Sequence, residues 1–249
     1  MKQISIASLY KDVKPYYEST NVTLYHGDCL NIIPELDQVD LLITDPPYGV
    51  KWRSNRRATK FDAMAGDDST DVGTAAIKAS IERLRNHRHA YVFGPFDLTT
   101  CGVGGTAQLI WDKHVNGSGN LASIWAPSHE VITFGVKSGA RRRNGTIDGA
   151  LSARLRRGSV LRYQRPNGNQ VRHPSEKPVG LIRELIESSS RLGEVVLDPF
   201  GGSGSTAVAA LIEGRRAIVI ELEEKWCQLI AKRLIEAEKA IAQADIASR

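Results

Sequence analysis

Short apolar runs alternate along the chain with amphipathic stretches of helical period, and their order predicts the architecture. Val22 to Tyr25 is a brief β-like run leading into His26-Gly27-Asp28. After a helical turn to Leu36, Val39-Asp40-Leu41-Leu42-Ile43-Thr44 reads as a buried strand that ends on Asp45-Pro46-Pro47-Tyr48-Gly49. Neither proline can donate to a sheet ladder, so the chain must leave the sheet there as a stiff, extended loop. Residues 51–72 are polar, with five basic residues before Phe61, the pattern of a mobile loop. A helix is expected from about Val72 to Leu84, then strands at His89 to Phe93, Gln108 to Trp111 and Glu130 to Phe134.

From Lys137 to Gln170 the rhythm breaks: Gly, Asn and Arg dominate and large apolar residues are scarce, which reads as a surface insertion. Order returns with Pro178 in the first turn of a helix whose one face carries Leu181, Ile182, Leu185 and Ile186, with Gly193 past its end. Strand Val195 to Leu197, a loop from Asp198 to Ser205, a helix to Glu213 stopped by Gly214, and strand Ala217 to Ile220 ending at Glu221 complete a βαβ unit. A last amphipathic helix sets Trp226, Ile230, Leu234 and Ile241 on one face. Such alternation predicts a parallel, doubly wound α/β sheet, and 249 residues suit one domain, with 137–172 as its embellishment.

Charge sharpens the reading of that insertion. The chain carries a formal +5, yet nine arginines and a single aspartate lie between Arg141 and Arg172, so this segment alone holds +8 and the remainder about −3 (5 − 8). Like charges at that density repel unless a polyanion neutralises them, which points to nucleic acid. Arginine suits phosphates and guanine edges better than lysine does. Three cysteines without CxxC spacing exclude a disulfide framework and a zinc knuckle. His26 with Cys29, and His87 with His89, gain no further ligands, so no metal is expected. No signal-peptide run or membrane-length apolar stretch occurs, and a cytoplasmic protein is expected.

Two motifs carry chemistry. Asp198-Pro199-Phe200-Gly201-Gly202-Ser203-Gly204-Ser205-Thr206 joins a buried strand to a helix, where glycines let a ligand approach the backbone and the helix start offers free amides. The loop lacks the Gly-Lys-Ser/Thr ending of a P-loop and the third glycine of a dinucleotide fingerprint, which weakens a nicotinamide dehydrogenase reading. Glu221, about twenty residues on, ends the next strand, where a carboxylate can accept from both ribose hydroxyls. In Asp45-Pro46-Pro47-Tyr48, the Asp45 carboxylate and the Pro46 carbonyl can bind both hydrogens of an exocyclic base amine and localise its lone pair, while Tyr48 offers a face to a flipped base.

Together these two motifs resemble the amino-group DNA methyltransferases, and the order of tetrapeptide before glycine loop resembles the beta-type, circularly permuted branch. The resemblance spans most of the chain. It implies a Rossmann-like class I methyltransferase sheet with a short inserted target-recognition segment, S-adenosylmethionine as cofactor, and double-stranded DNA as partner. A second copy of the chain and a cognate restriction endonuclease are further candidate partners. Gly27-Asp28 matches the family's adenine-pocket pair, His173-Pro174-Ser175-Glu176-Lys177-Pro178 its segment closing over the methionine end, and Glu221 its ribose acid. The implied cofactor set is therefore Asp28, Lys177, Pro178, the loop 198–206 and Glu221, beside the catalytic Asp45, Pro46, Pro47 and Tyr48. DNA contacts are expected from Arg53, Arg56, Arg57, Arg141, Arg142, Arg143, Arg154, Arg156 and Arg157. Two departures stand out: the recognition segment is short, and Glu176 replaces a residue that is often uncharged in the family.

The implied reaction is methylation of adenine N6, since the family's cytosine-N4 enzymes more often carry serine where Asp45 stands. Cytosine N4, and a DNA-binding relative without catalysis, are the alternatives. RNA or protein glutamine also presents a planar nitrogen, but the permuted order and basic insertion favour DNA. Methylation at cytosine C5 would need a cysteine nucleophile, and none of the three sits in such a setting.

Overall fold

A computed structural model describes residues 14–47, 70–114, 125, 128–138, 155, 157–166, 172–173 and 175–247. Its strands are β1 (Tyr17–Glu18), β2 (Val22–His26), β3 (Val39–Thr44), β4 (Leu84–Phe93), β5 (Val103–Asp112), β6 (His129–Lys137), β7 (Val160–Arg162), β8 (Val195–Asp198) and β9 (Arg216–Glu221). The helices are α1 (Cys29–Ile32), α2 (Thr70–Arg83), α3 (Val179–Ser189), α4 (Ser205–Ile212) and α5 (Glu224–Ala247). The strands form one sheet in the order β1-β2-β9-β8-β3-β4-β6-β5-β7.

Five neighbouring strands, β2, β9, β8, β3 and β4, run parallel. Strands of this kind are covered on both faces, so all six residues of β3 are buried, Asp40 with the Arg85 guanidinium as its partner. Leu41 and Ile43 join the core beneath α3, α4 and α5, whereas Val39 and Leu42 join the one beneath α1 and α2. The sheet is doubly wound. From β3 the chain steps outward to β4, and from β8 it steps outward the other way to β9, so the boundary between β3 and β8 is the switch point. In open α/β sheets ligands bind outside the carboxyl ends of the strands at this point.

Three expectations need correction. The sheet is mixed, because β6 runs antiparallel to both β4 and β5, as β1 does to β2. The apolar alternation of these strands is the same in either direction, so periodicity could not choose between them. Second, β4 and β5 begin about five residues before the predicted cores, in stretches that are mostly exposed or half-buried and so lack an apolar signal. Third, the Arg-rich insertion is not wholly outside the sheet: β7 lies within it, pairs parallel with β5, and buries Leu161. Three residues with one buried side chain leave too weak a pattern to read.

Candidate active site

The carboxyl ends of all five parallel strands open into one cleft of about 1120 Å³, its solvent-open mouth included. From β2 come Gly27 and Asp28, from β3 Asp45, Pro46 and Pro47, from β4 Phe93, from β8 Asp198 and the glycine loop, and from β9 Glu221. His173, Ser175, Lys177 and Trp226 complete the lining. Pro178 and Gly204 are not among the lining residues; they start α3 and α4 as their N-caps. Tyr48 lies outside the described residues.

Each wall has a local cause. Gly201 lies so close to β9 and α5 that a Cβ there would meet Val219 at 2.6 Å and Ile230 at 3.0 Å. Gly204 turns the chain into α4 at φ +79°, a left-handed conformation that costs a residue with a side chain. Glu221 is fixed from both sides: Gly202 N–H donates to Oε2 at 2.7 Å and Glu223 N–H to Oε1 at 2.8 Å. Burial nevertheless raises its pKa above the ordinary value. Asp28 caps α1 through Leu30 N–H at 2.9 Å. Burial pushes the Asp198 carboxyl up to about 7, against hydrogen bonds from Thr206 and Phe200, and neighbouring Asp45 adds to the rise. His173 packs edge-on against Trp226 with centroids 4.4 Å apart, and burial lowers its imidazole to about 4.

On the other side of the switch point, Lys177 Nζ donates to Asp45 Oδ2 at 2.6 Å and lies 3.2 Å from Glu130 Oε2. Its ammonium also stands 4.9 Å over the Phe93 ring. Burial would depress this lysine, but the Asp45 and Glu130 carboxylates outweigh it and hold its pKa above the usual value. The cleft thus has two halves, a pocket lined by glycines and acids, and a charged aromatic wall around Asp45.

Residues 75–233, more than half of the chain, match the model of the N6_N4_Mtase family, described as DNA methylase. The chain belongs to this family of DNA methylases. Its members draw the methyl group from S-adenosylmethionine. Among its relatives, the type II methyltransferase M2.MboI of Moraxella bovis is 26% identical over 262 residues, covering 90% of this chain and 92% of that protein. The DNA adenine methyltransferase YhdJ of Escherichia coli (strain K12) is 26% identical over 248 residues, covering 85% and 82%. The crystal structure of the M1.HpyAVI-SAM complex shares the fold, with a TM-score of 0.63 at 22% identity over 86% of this chain and 98% of that one.

In this methylase Glu176, unusual at its place in the motif, has a partner. It is buried, lies 3.2 Å from the equally buried Arg233 of α5, and accepts from Arg172 N–H at 2.8 Å. Arg233 in turn donates to the Ser203 carbonyl of the glycine loop at 2.6 Å. The pair is a strut joining the 172–178 segment, the glycine loop and the last helix. Replacing Glu176 by alanine strands a buried guanidinium and should cost about 3–5 kcal/mol in urea unfolding. A Glu176→Met, Arg233→Met double variant should recover much of that loss, because neither charge then remains buried alone.

Of the nine arginines assigned to DNA, only Arg157 is among the described residues; Arg53, Arg56, Arg57, Arg141, Arg142, Arg143, Arg154 and Arg156 lie outside them. Arg157 is largely exposed and pairs with Glu184 of α3 at 3.2 Å. Cys29 lines the cleft, but burial pushes its thiol up to about 12, which suits no nucleophile near neutrality. Among the described residues no cluster of three or more His, Cys, Asp or Glu could hold a metal, and no helix is long and apolar enough to cross a membrane.

Proposed function

We propose that this methylase transfers a methyl group from S-adenosylmethionine to the exocyclic N6 of adenine in double-stranded DNA. The observation that carries the reading is the meeting of Asp45-Pro46-Pro47 with the glycine loop and Glu221 in one cleft at the switch point of the sheet. The residues fit the cofactor by the chemistry of their donors and acceptors. Glu221, already anchored by two backbone amides, keeps lone pairs for the ribose hydroxyls. Asp28, Phe200 and Asp198 line the cleft, where the first two would hold the nucleoside end and Asp198 would offset the positive charge of the methionine end. When bound, S-adenosylmethionine supplies an electrophilic methyl on its sulfonium.

Asp45 and the Pro46 carbonyl accept the two hydrogens of the base amine, which turns its lone pair out of conjugation with the ring. The two prolines fix the direction of that carbonyl. Tyr48 stacks on the base once it has been flipped from the duplex, and the Arg-rich insertion with Arg53, Arg56 and Arg57 holds the phosphates and reads the target. Aspartate in the first place of the tetrapeptide, and the likeness to the adenine methyltransferase YhdJ, support adenine over cytosine. A cognate restriction endonuclease follows as a partner if the chain serves as the type II enzyme M2.MboI does. Incubation with radiolabelled S-adenosylmethionine should label unmethylated duplex DNA and leave RNA of the same sequence unlabelled; label on RNA alone would overturn the reading.

Burial makes the Asp198 carboxyl a pH-sensitive group in the cleft. Because its folded pKa of about 7 exceeds that of a free aspartate, its contribution to ligand-free stability is complete in acid and is lost as pH rises through about 7. A ligand of net positive charge prefers the ionised form. S-adenosylmethionine affinity should therefore tighten as pH climbs through about 7, with proton release on binding. Titration calorimetry in two buffers of different ionisation enthalpy reads both effects, and an affinity independent of pH would remove Asp198 from the site.

A further inference from the structure

Lys177 is not shared by Asp45 and Glu130 alone, because Lys113 Nζ lies 2.6 Å from the other oxygen of Glu130. The antiparallel half of the sheet brings these groups together. Reversal of β6 sets its first residues beside the carboxyl end of β4, and β5, reversed again, pairs Trp111 with Glu130 and delivers Lys113 to the same edge. The result is a row, Asp45–Lys177–Glu130–Lys113, of alternating charge. It is walled by Phe93 and Trp111, whose rings stand 4.9 and 6.0 Å from Lys177 Nζ. Asp45 and Lys177 are largely enclosed, with side-chain exposures of 15% and 9%, while Glu130 reaches solvent at 33%. No motif contains Glu130 or Lys113.

Methylation of an amine nitrogen leaves it positively charged, so one N–H bond must break before product can leave. Resting on the function proposed above, we infer that Glu130 is a positioning residue that holds Lys177 against Asp45 and provides the outlet for this proton. The proton passes to the Asp45 carboxylate while its bonding pair returns to nitrogen as the lone pair. Lys177 then hands one of its own protons to Glu130 and takes the one on Asp45, and Glu130 releases its proton to water. One proton leaves, and every group in the row regains its starting charge.

Single-turnover methyl transfer measured against pH, in the intact protein with saturating S-adenosylmethionine and DNA, tests the outlet. The groups facing Lys177 are Asp45 from β3, Glu130 from β6, Lys113 beyond β5 and His173 of its own segment, with Asp198 of β8 behind Asp45. Glu130→Gln removes one of two anions that hold the ammonium charged. Its transfer rate should fall at least about tenfold between about pH 7 and about pH 9, where the unaltered protein stays level. Glu130→Asp should restore part of the lost rate. Lys113→Met should shift the acid limb instead, to higher pH, because Glu130 then protonates more readily; this variant decides the matter if Glu130→Gln fails to fold. Lower rates with unmoved limbs, or unchanged rates, would overturn the inference and leave Glu130 as packing. Absence of transfer by the unaltered protein would overturn the proposed function itself, which keeps the two failures apart.

Discussion

Replacing Asp45 by alanine is expected to lower single-turnover methyl transfer by about a hundred- to ten-thousandfold while leaving S-adenosylmethionine affinity within about threefold. The rate falls because an exocyclic amine without its carboxylate acceptor keeps its lone pair in the ring. Affinity is spared because the glycine loop and Glu221 hang from β8 and β9, and Asp45 from β3. The fold should survive, since Glu130, 3.2 Å from Lys177 Nζ, still pairs with the ammonium that Asp45 would abandon. A quenched-flow assay beside a calorimetric titration separates the two quantities. Turnover near the unaltered rate would remove Asp45 from the chemistry.

Glu221 should show the opposite split. Its alanine variant loses charged hydrogen bonds to the ribose, about 3 kcal/mol in all, or more than about a hundredfold in the Kd for S-adenosylmethionine. At saturating cofactor the rate should recover, since the residue touches nothing at the amine. Glutamine should be nearly as damaging. Both carboxylate oxygens already accept backbone N–H groups, so an amide would turn its NH2 toward one of those donors. A glutamine variant that binds as well as the unaltered chain would show that the carboxylate holds the loop and not the ligand.

The parallel half of the architecture was legible because its signals are local. A short strand centred on Leu41-Leu42-Ile43 that stops at two prolines, and glycines crowded between a strand and a helix, each need only a short stretch of chain to be read. Their meeting in one cleft followed from the βαβ rule, which places strand ends together. The antiparallel half was not legible, since direction in a sheet is set by pairing between distant segments and leaves no mark on alternation. For the same reason the sequence does not single out Glu130 and Lys113. Each is an ordinary charged residue at a strand end, and only the reversal of β6 sets them beside Lys177. The one available hint was a glutamate heading an apolar run, and such residues are more often solvated.

Lys177 and Trp226 show how a correct location can hide a second role. The family motif places Lys177 at the cofactor, and it does line the cleft, but its ammonium lies on Asp45 and Glu130. Helical spacing puts Trp226 on the core face of α5 with Ile230 and Leu234. Those two are fully buried, yet Trp226 stands half-buried at the end of the stripe, where it supports His173 and borders the cleft. The departure at Glu176 has its physical counterpart in Arg233, 3.2 Å away. A buried charge calls for a partner, and the partner sits on another helix.

The central claim is methyl transfer to adenine N6, and mass spectrometry of nucleosides tests it most directly. Unmethylated DNA of varied sequence is incubated with the purified protein and S-adenosylmethionine, then digested to single nucleosides. N6-methyladenine, absent when Asp45 is alanine, is the predicted result. N4-methylcytosine in its place, or N6-methyladenine undiminished in the Asp45 variant, would contradict the account.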